Sequence, residues 1–269
     1  MKPDLFPSPE LRQALRPLVP KDAVWQRMAG GRSNLVWRVG GLVVKQFRPD
    51  RASPLFPNDP LAERAALTGL AGCGIAPRMA GSGSDWIAYD HLPGQDWRDD
   101  PVPVARALAV LHRQPLLPSL TRAPMGHDLR RAAQVWAPQD LPPCPELNAP
   151  LPQIAPRIIH RDPVPGNIVM QDGQARLIDW QCPAIGDPAE DLAVFLSPAM
   201  QMLYRGAVLS ETEIAQFLAA YPDREVIDRY RAMRGVLHWR IAAHCAWRAG
   251  QGCADYARAL PLECAMAAA

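Results

Sequence analysis

Proline decides which parts of this chain can be regular. It occurs 30 times in 269 residues, about twice its average share. Four prolines fall between residues 49 and 60, and a longer proline-rich stretch covers 115–156. Proline has no backbone N–H and fixes φ, so neither stretch can hold a long helix or a central strand. Long regular elements are left to 24–47, to 61–111 and to the chain beyond 156, with room for one short helix between 115 and 156.

The first of these regions has strand patterning. Residues 24–28, 35–39 and 42–47 each predict a strand, with Gly40-Gly41 as a two-residue hairpin turn and a turn-rich loop over 29–34. Residues 61–71 are rich in Ala, Leu and Glu and predict a helix. A strand over 86–90 stops at His91-Leu92-Pro93-Gly94, where we place the boundary between a lobe of residues 1–91 and a lobe of residues 92–269. Beyond it helices dominate. They are expected at 102–111, at 129–136, at 214–221 behind the capping box Ser210-Glu211-Thr212-Glu213, at 223–249 and at 254–260, where Pro261 should end or kink the last. Short strands at 157–159, 168–170 and 175–178, with a turn at Asp172-Gly173, interrupt them. The expected fold class is α+β, with a small β-rich lobe followed by a larger helical one.

Charge and cysteine usage exclude several function classes. Twenty-nine basic residues against 27 acidic ones give a net charge of +2 with no basic run, which argues against a nucleic-acid partner. The longest uncharged stretches, 65–77 and 192–204, fall short of a membrane span. The first 30 residues lack a secretory pattern, and the six cysteines show neither C-x-x-C nor zinc spacing, so a cytoplasmic protein with reduced thiols is expected. Lysine occurs only at 2, 21 and 45, against 26 arginines, which makes Lys45 notable.

The strongest chemical signal is His160-Arg161-Asp162-Pro163-Val164-Pro165-Gly166-Asn167, followed by Leu177-Ile178-Asp179-Trp180. It matches H-R-D-x-x-x-x-N, the catalytic-loop pattern of protein kinases. An Asp on such a loop accepts the proton of an attacking hydroxyl. An Asn five residues on returns to the same cleft as a Mg²⁺ ligand, and a second Asp at a strand end brings an anionic oxygen to the metal. Lys45 lies in the third strand with Val43, Val44 and Phe47 beside it, where a compact ammonium suits phosphate contact. Glu63, on the next helix, is placed to orient it. The Gly30–Asn34 loop, with Gly31, Ser33 and Asn34, is expected to cover phosphates through backbone N–H groups.

The segments GGRSNLVWRV, VVKQF, ERAAL, IAYDHLPG, ALAVLH, HRDPVPGNIVM and LIDWQCPAIGDPAEDLA resemble the aminoglycoside phosphotransferase and choline kinase family, small-molecule kinases with a two-lobed, protein-kinase-like fold. They span about residues 24–196. The resemblance implies ATP and Mg²⁺ as cofactors, Asp162 as catalytic base, and Asn167 and Asp179 as metal ligands. It implies Lys45 on the ATP phosphates with Glu63 as its partner, Tyr89 behind the adenine, and backbone groups of Asp90 and Leu92 against the adenine edge. Asp187 and Asp191 would be structural, capping a helix and bracing the catalytic loop, and His160 a packed loop anchor. Trp180 stands where protein kinases have Phe-Gly, and Gln181 where many relatives carry an acidic residue.

The expected function is transfer of the γ-phosphoryl group of ATP to a hydroxyl of a small metabolite such as choline, ethanolamine, an amino sugar or thiamine. The alternative is a nucleotide-binding regulator without turnover, which has no need of Asp162. A metal-dependent hydrolase built on His160, Asp162 and Asp179 leaves Lys45 without a role. The acceptor is expected between the catalytic loop and the segment 187–269. That segment carries ten acidic residues and eight arginines, and so lacks the acidic wall that a polycationic aminoglycoside favours. Trp239 and Trp247 are expected in the core.

Overall fold

The computed structural model describes residues 6–28, 33–147 and 149–269. A short helix α1 (Pro9–Ala14) precedes strands β1 (Trp25–Arg27), β2 (Leu35–Val39) and β3 (Leu42–Gln46). Helix α2 (Pro60–Gly69) and strands β4 (Met79–Ser82), β5 (Trp86–Asp90) and β6 (Gln95–Asp96) follow. Then come helices α3 (Val102–His112) and α4 (His127–Trp136) and strands β7 (Arg157–Ile159), β8 (Ile168–Gln171), β9 (Gln174–Leu177) and β10 (Ala184–Gly186). The chain ends in helices α5 (Ala189–Leu196), α6 (Pro198–Tyr204), α7 (Glu211–Ala220), α8 (Arg224–Gly250) and α9 (Ala254–Ala268).

The first sheet is antiparallel, in the order β1-β2-β3-β5-β4. Alternation of side chains along each strand sorts its two faces. Trp37, Val39, Val44 and Ala88 point to one face and pack with Leu11, Leu15 and Val19, so α1 and the residues after it cover that side. Val43, Ile87, Tyr89 and Phe47 point to the other face and join the main core, which continues without a break through α3, α5 and α8. Lys45 lies in step with Val43 and Phe47, so the register that buries those apolar side chains turns the lysine inward as well.

Two small sheets organise the second half. β8 pairs with β9 on one side and β6 on the other, and β10 pairs with β7. Gly94, just before β6, takes φ +150, and a Cβ there would lie 2.4 Å from the Met170 carbonyl oxygen. Only glycine lets the chain pass that close to β8.

Three expectations change. α1 was not anticipated, because six residues capped by Ser8 carry too little periodicity. β4 was not anticipated because its Met-Ala-Gly-Ser sequence has little strand preference; β5 supplies the pairing. Pro261 does not end the last helix, which runs on to Ala268. Tertiary packing outweighs the lost hydrogen bond there, since Tyr256, Ala259 and Glu263 on either side of the proline are buried.

Candidate active site

The catalytic-pattern loop joins β7 to β8 and is held from below by one carboxylate. Asp191, fully buried on α5, accepts hydrogen bonds from the backbone N–H groups of His160 (2.8 Å) and Arg161 (2.7 Å) and contacts His112 Nε2 at 3.0 Å. Asp187 caps the Ala189 N–H of the same helix and pairs with the Arg229 guanidinium at 2.8 Å. His160 is also fully buried. Its Nδ1 accepts from the Asp162 N–H (3.3 Å) and its Nε2 contacts the Ile178 carbonyl (3.1 Å), an arrangement that only the neutral ring with its proton on Nε2 satisfies. Burial pushes its pKa down to about 4, in agreement. Its ring also packs on Trp180, centroids 4.4 Å apart.

On that base stand Asp162 and Asn167. The Asn167 amide nitrogen donates to the Asp162 carbonyl (2.9 Å) and to Asp162 Oδ2 (3.1 Å). Its nitrogen is thereby committed, and its oxygen is the pole left for the cleft. Burial, and then the nearby Asp179 carboxylate, hold Asp162 well above the ordinary carboxylate range, while the Asn167 hydrogen bond works against them. Gly166 is tight here: a Cβ would lie 2.8 Å from the Tyr204 ring.

Asp179 follows β9 in a left-handed conformation, φ +60, and Arg161 has φ +68. Non-glycine residues adopt this region at some cost, and the two sit on either side of the site. The turn at 179 sends the neighbouring Trp180 into the core, where its indole N–H donates to Leu177 O at 2.9 Å. The Asp179 side chain stays 30% exposed. Lys45 Nζ donates to both Glu63 oxygens at 2.7 Å and to Asp179 Oδ1. Burial opposes the charge on Lys45, but Asp179 and Glu63 outweigh it and hold its pKa above the usual lysine range. Glu63 is pushed up to about 7 by burial, with Lys45 offsetting and Asp179 adding to the shift. Two carboxylates share one ammonium, so the triad carries net negative charge.

Lys45, Asn167 and Asp179 line one cleft of about 420 Å³, together with Met28, Val43, Tyr89, His91 and Leu92. Asn167 and Asp179 supply one neutral and one anionic oxygen, with open space beside them. That donor set fits Mg²⁺, which takes few protein oxygens and completes its shell with phosphates and water.

The other sequence candidates fall as follows. Asp90 pairs its carboxylate with Arg78 at 2.9 Å and donates its N–H to Arg78 O, so of its hydrogen-bonding backbone groups only the carbonyl is left for a ligand. Gly31 lies outside the described residues. Ser33 lines a second, smaller cavity of about 30 Å³, which Asp162 also lines. The side-chain amide of Asn34 is fully engaged within the protein. Its oxygen accepts from the Arg48 N–H (3.0 Å) and from Asn58 (2.8 Å), and its nitrogen donates to Asn58 Oδ1 (3.0 Å) and Gln181 Oε1 (3.2 Å). Every hydrogen-bonding position of that amide is filled, so it orients Gln181.

Residues 24–236 match the phosphotransferase enzyme family (APH). The chain belongs to that family. A thiamine kinase of Escherichia coli O17:K52:H18 (strain UMN026 / ExPEC) is 31% identical over 171 residues, 57% of this chain and 61% of the enzyme, so the match spans under two thirds of that relative. A choline/ethanolamine kinase family protein from Mesorhizobium loti shares the fold over 95% of this chain and 92% of its own, with a TM-score of 0.67 and 17% identity. The streptomycin–ATP ternary complex of APH(2")-IIa does so over 94% and 96%, with a TM-score of 0.66 and 13% identity. The kinase-like, mixed α+β fold expected from the sequence is therefore the fold of this phosphotransferase family member. None of the helices among the described residues is long and apolar enough to cross a membrane.

Sequence reasoning missed the far wall of the smaller cavity. Phe56 comes from the proline-rich segment, Tyr204 from the end of α6, His244 and Arg248 from α8 and Tyr256 from α9. No motif links these positions. The only local signal is the four-residue spacing of His244 and Arg248 on one helix face. Trp239 is a core residue, donating its indole N–H to Pro142 O at 2.7 Å.

Proposed function

We propose that this chain is a small-molecule kinase that moves the γ-phosphoryl group of ATP to an alcohol hydroxyl. One observation carries the reading: a buried Lys45 held between Glu63 and Asp179 faces the same cleft as Asn167, whose amide is hydrogen-bonded to Asp162.

In this reading residues 1–91 clamp the nucleotide and residues 92–269 carry the catalytic loop and the acceptor. The adenine would lie against Tyr89 and the backbone of Asp90 and Leu92. Lys45 contacts the phosphates from the floor of the cleft. Glu63 keeps its ammonium in place. Asn167 and Asp179 would hold Mg²⁺, which neutralises charge on the phosphates when bound. Asp162 holds the acceptor hydroxyl and takes its proton as the oxygen attacks. Its raised pKa makes it a stronger base than an ordinary carboxylate. Most of the rate enhancement comes from positioning and fixed charge.

The test is release of ADP from Mg-ATP by the purified protein against a panel of small alcohols. The expected result is acceptor-dependent turnover that needs a divalent metal. A protein that neither binds Mg-ATP nor turns over any acceptor would remove the reading.

A further inference from the structure

The smaller cavity, which Asp162 lines, has its own chemistry. Asp162 is the only carboxylate among the described residues that line it, and Arg51 and Arg248 are its cations. Arg51 stands at the rim, mostly exposed, and is 3.3 Å from the equally exposed Asp50. Surface pairs of that kind hold their partners weakly. Arg248 lies over the Tyr256 ring, 5.3 Å from its centroid, and its buried Nε has no hydrogen-bond partner among the described residues.

Gln181 contributes a donor for a reason that can be traced atom by atom. The Arg48 backbone N–H can only donate, so it fixes the oxygen of Asn34 towards itself. The nitrogen of Asn34 then faces Gln181, which must present its own oxygen in return. The NH₂ of Gln181 is left as the pole away from Asn34, and no partner for it occurs among the described residues. Gln181 is 3% exposed, and its backbone carbonyl is held by the Asp59 N–H at 2.9 Å.

Two of the aromatic side chains that line the cavity are engaged within the protein. The Tyr256 face is covered by Arg248, and Phe56 meets His244 edge-on at 4.8 Å. A cationic alcohol entering here would meet two guanidinium groups and an amide donor against the single carboxylate of Asp162.

We propose that this cavity recognises an alcohol that also carries an oxyanion, either a carboxylate or a phosphate, bound by Arg248 and the Gln181 amide with Arg51 at the rim. Cationic alcohols are turned away. The proposal rests on the kinase reading and names its acceptor class. It sets Gln181, Arg248 and the Asn34 relay behind Gln181 as determinants of specificity.

The experiment has three parts on the full chain. Mg-ATP binding is measured first, by titration calorimetry. ADP release and acceptor binding are then compared across hydroxycarboxylates such as glycerate, phosphorylated alcohols such as glycerol 3-phosphate, neutral polyols, and the cationic alcohols choline and thiamine. Turnover within one anionic set is expected, and which set responds distinguishes carboxylate from phosphate. Finally, Arg248→Gln should raise the KM for that acceptor at least about tenfold, the usual scale for losing a charge-assisted contact, with the KM for Mg-ATP within a few fold. Arg248→Lys should recover part of the loss, and melting curves on both variants exclude unfolding. Gln181→Glu should weaken the anionic acceptor in the same direction. Mg-ATP binding with turnover of choline or thiamine alone overturns this proposal and leaves the kinase reading intact. So does Mg-ATP binding with no anionic alcohol bound or turned over, or an anionic acceptor whose KM ignores Arg248→Gln. Absence of Mg-ATP binding fells the kinase reading itself and this proposal with it.

Discussion

The two sides of Asp162 are built from opposite charges. On the cleft side Glu63 and Asp179 share the single ammonium of Lys45, and the surplus is negative. On the cavity side, among the described residues, two arginines face the one carboxylate of Asp162, joined by an amide whose donor end is set by a buried relay. A negative cleft attracts a metal ion and with it a metal-bound nucleotide; a positive cavity attracts an anion. In the proposed reading one carboxylate serves two neighbouring sites of different preference, because the pairing around each, and not net charge, sets it. The whole chain is nearly neutral at +2, so no global measure reveals it.

The most severe way to break the comparison is to remove what both sides share. Asp162→Asn should lower phosphoryl transfer by roughly 10²–10⁴-fold, the usual effect of losing a general base, while Mg-ATP affinity stays within a few fold. Single-turnover rates and a nucleotide titration check it, and near-normal transfer would mean that the two sides do not meet at Asp162.

Asn34→Ala separates the sides. It strips hydrogen bonds from Asn58, Gln181 and the Arg48 N–H, and unsatisfied buried groups of this kind cost about 1–3 kcal/mol each. Denaturant unfolding should show a loss of that order. In kinetics the KM for the acceptor should rise while that for Mg-ATP holds. The reverse pattern would restore Asn34 to the phosphates.

Lys45→Arg probes the cleft alone. The chain carries arginine at 26 positions, so a mere surface lysine would tolerate the change. A planar guanidinium cannot sit between Glu63 and Asp179 as the ammonium does. Transfer should fall at least about tenfold, some ~1.4 kcal/mol of transition-state stabilisation. Steady-state kinetics decide it, and full activity would remove the lysine from the phosphates.

The smallest effect concerns the platform beneath both sides. His160 is held neutral, with its pKa lowered to about 4, so the unfolded chain takes up its proton first. Its contribution to stability is complete above about pH 6.5 and is lost as pH falls towards 4. The gap in unfolding free energy between the wild type and His160→Gln, measured without nucleotide or metal, should therefore narrow by about 1 kcal/mol between pH 7.5 and 6. Comparing the two proteins cancels the carboxylates they share. A constant or widening gap would show that the imidazole is not kept neutral.

The cleft side was legible in the sequence because its residues belong to continuous local patterns. Asp162 and Asn167 share one loop, Asp179 follows its hairpin, and the strand period brings Lys45 inward with Val43 and Phe47. The cavity side was not legible. Phe56, Gln181, Arg248 and Tyr256 lie on separate elements, and neither spacing nor composition relates them. Asn34 shows the limit most clearly. In sequence it is the end of a glycine-rich loop, while in the structure it is a buried connector whose partners are 14, 24 and 147 residues away.

The sequence by itself determined the division into a β-rich and a helical lobe, the catalytic loop and the inward lysine, because each depends on steric rules or periodicities that act over a few residues. Only the tertiary structure decided which way the Gln181 amide points, which cations face the base and that Pro261 stays within a helix. Those outcomes depend on hydrogen bonds and packing between segments that meet only when the chain has closed on its core.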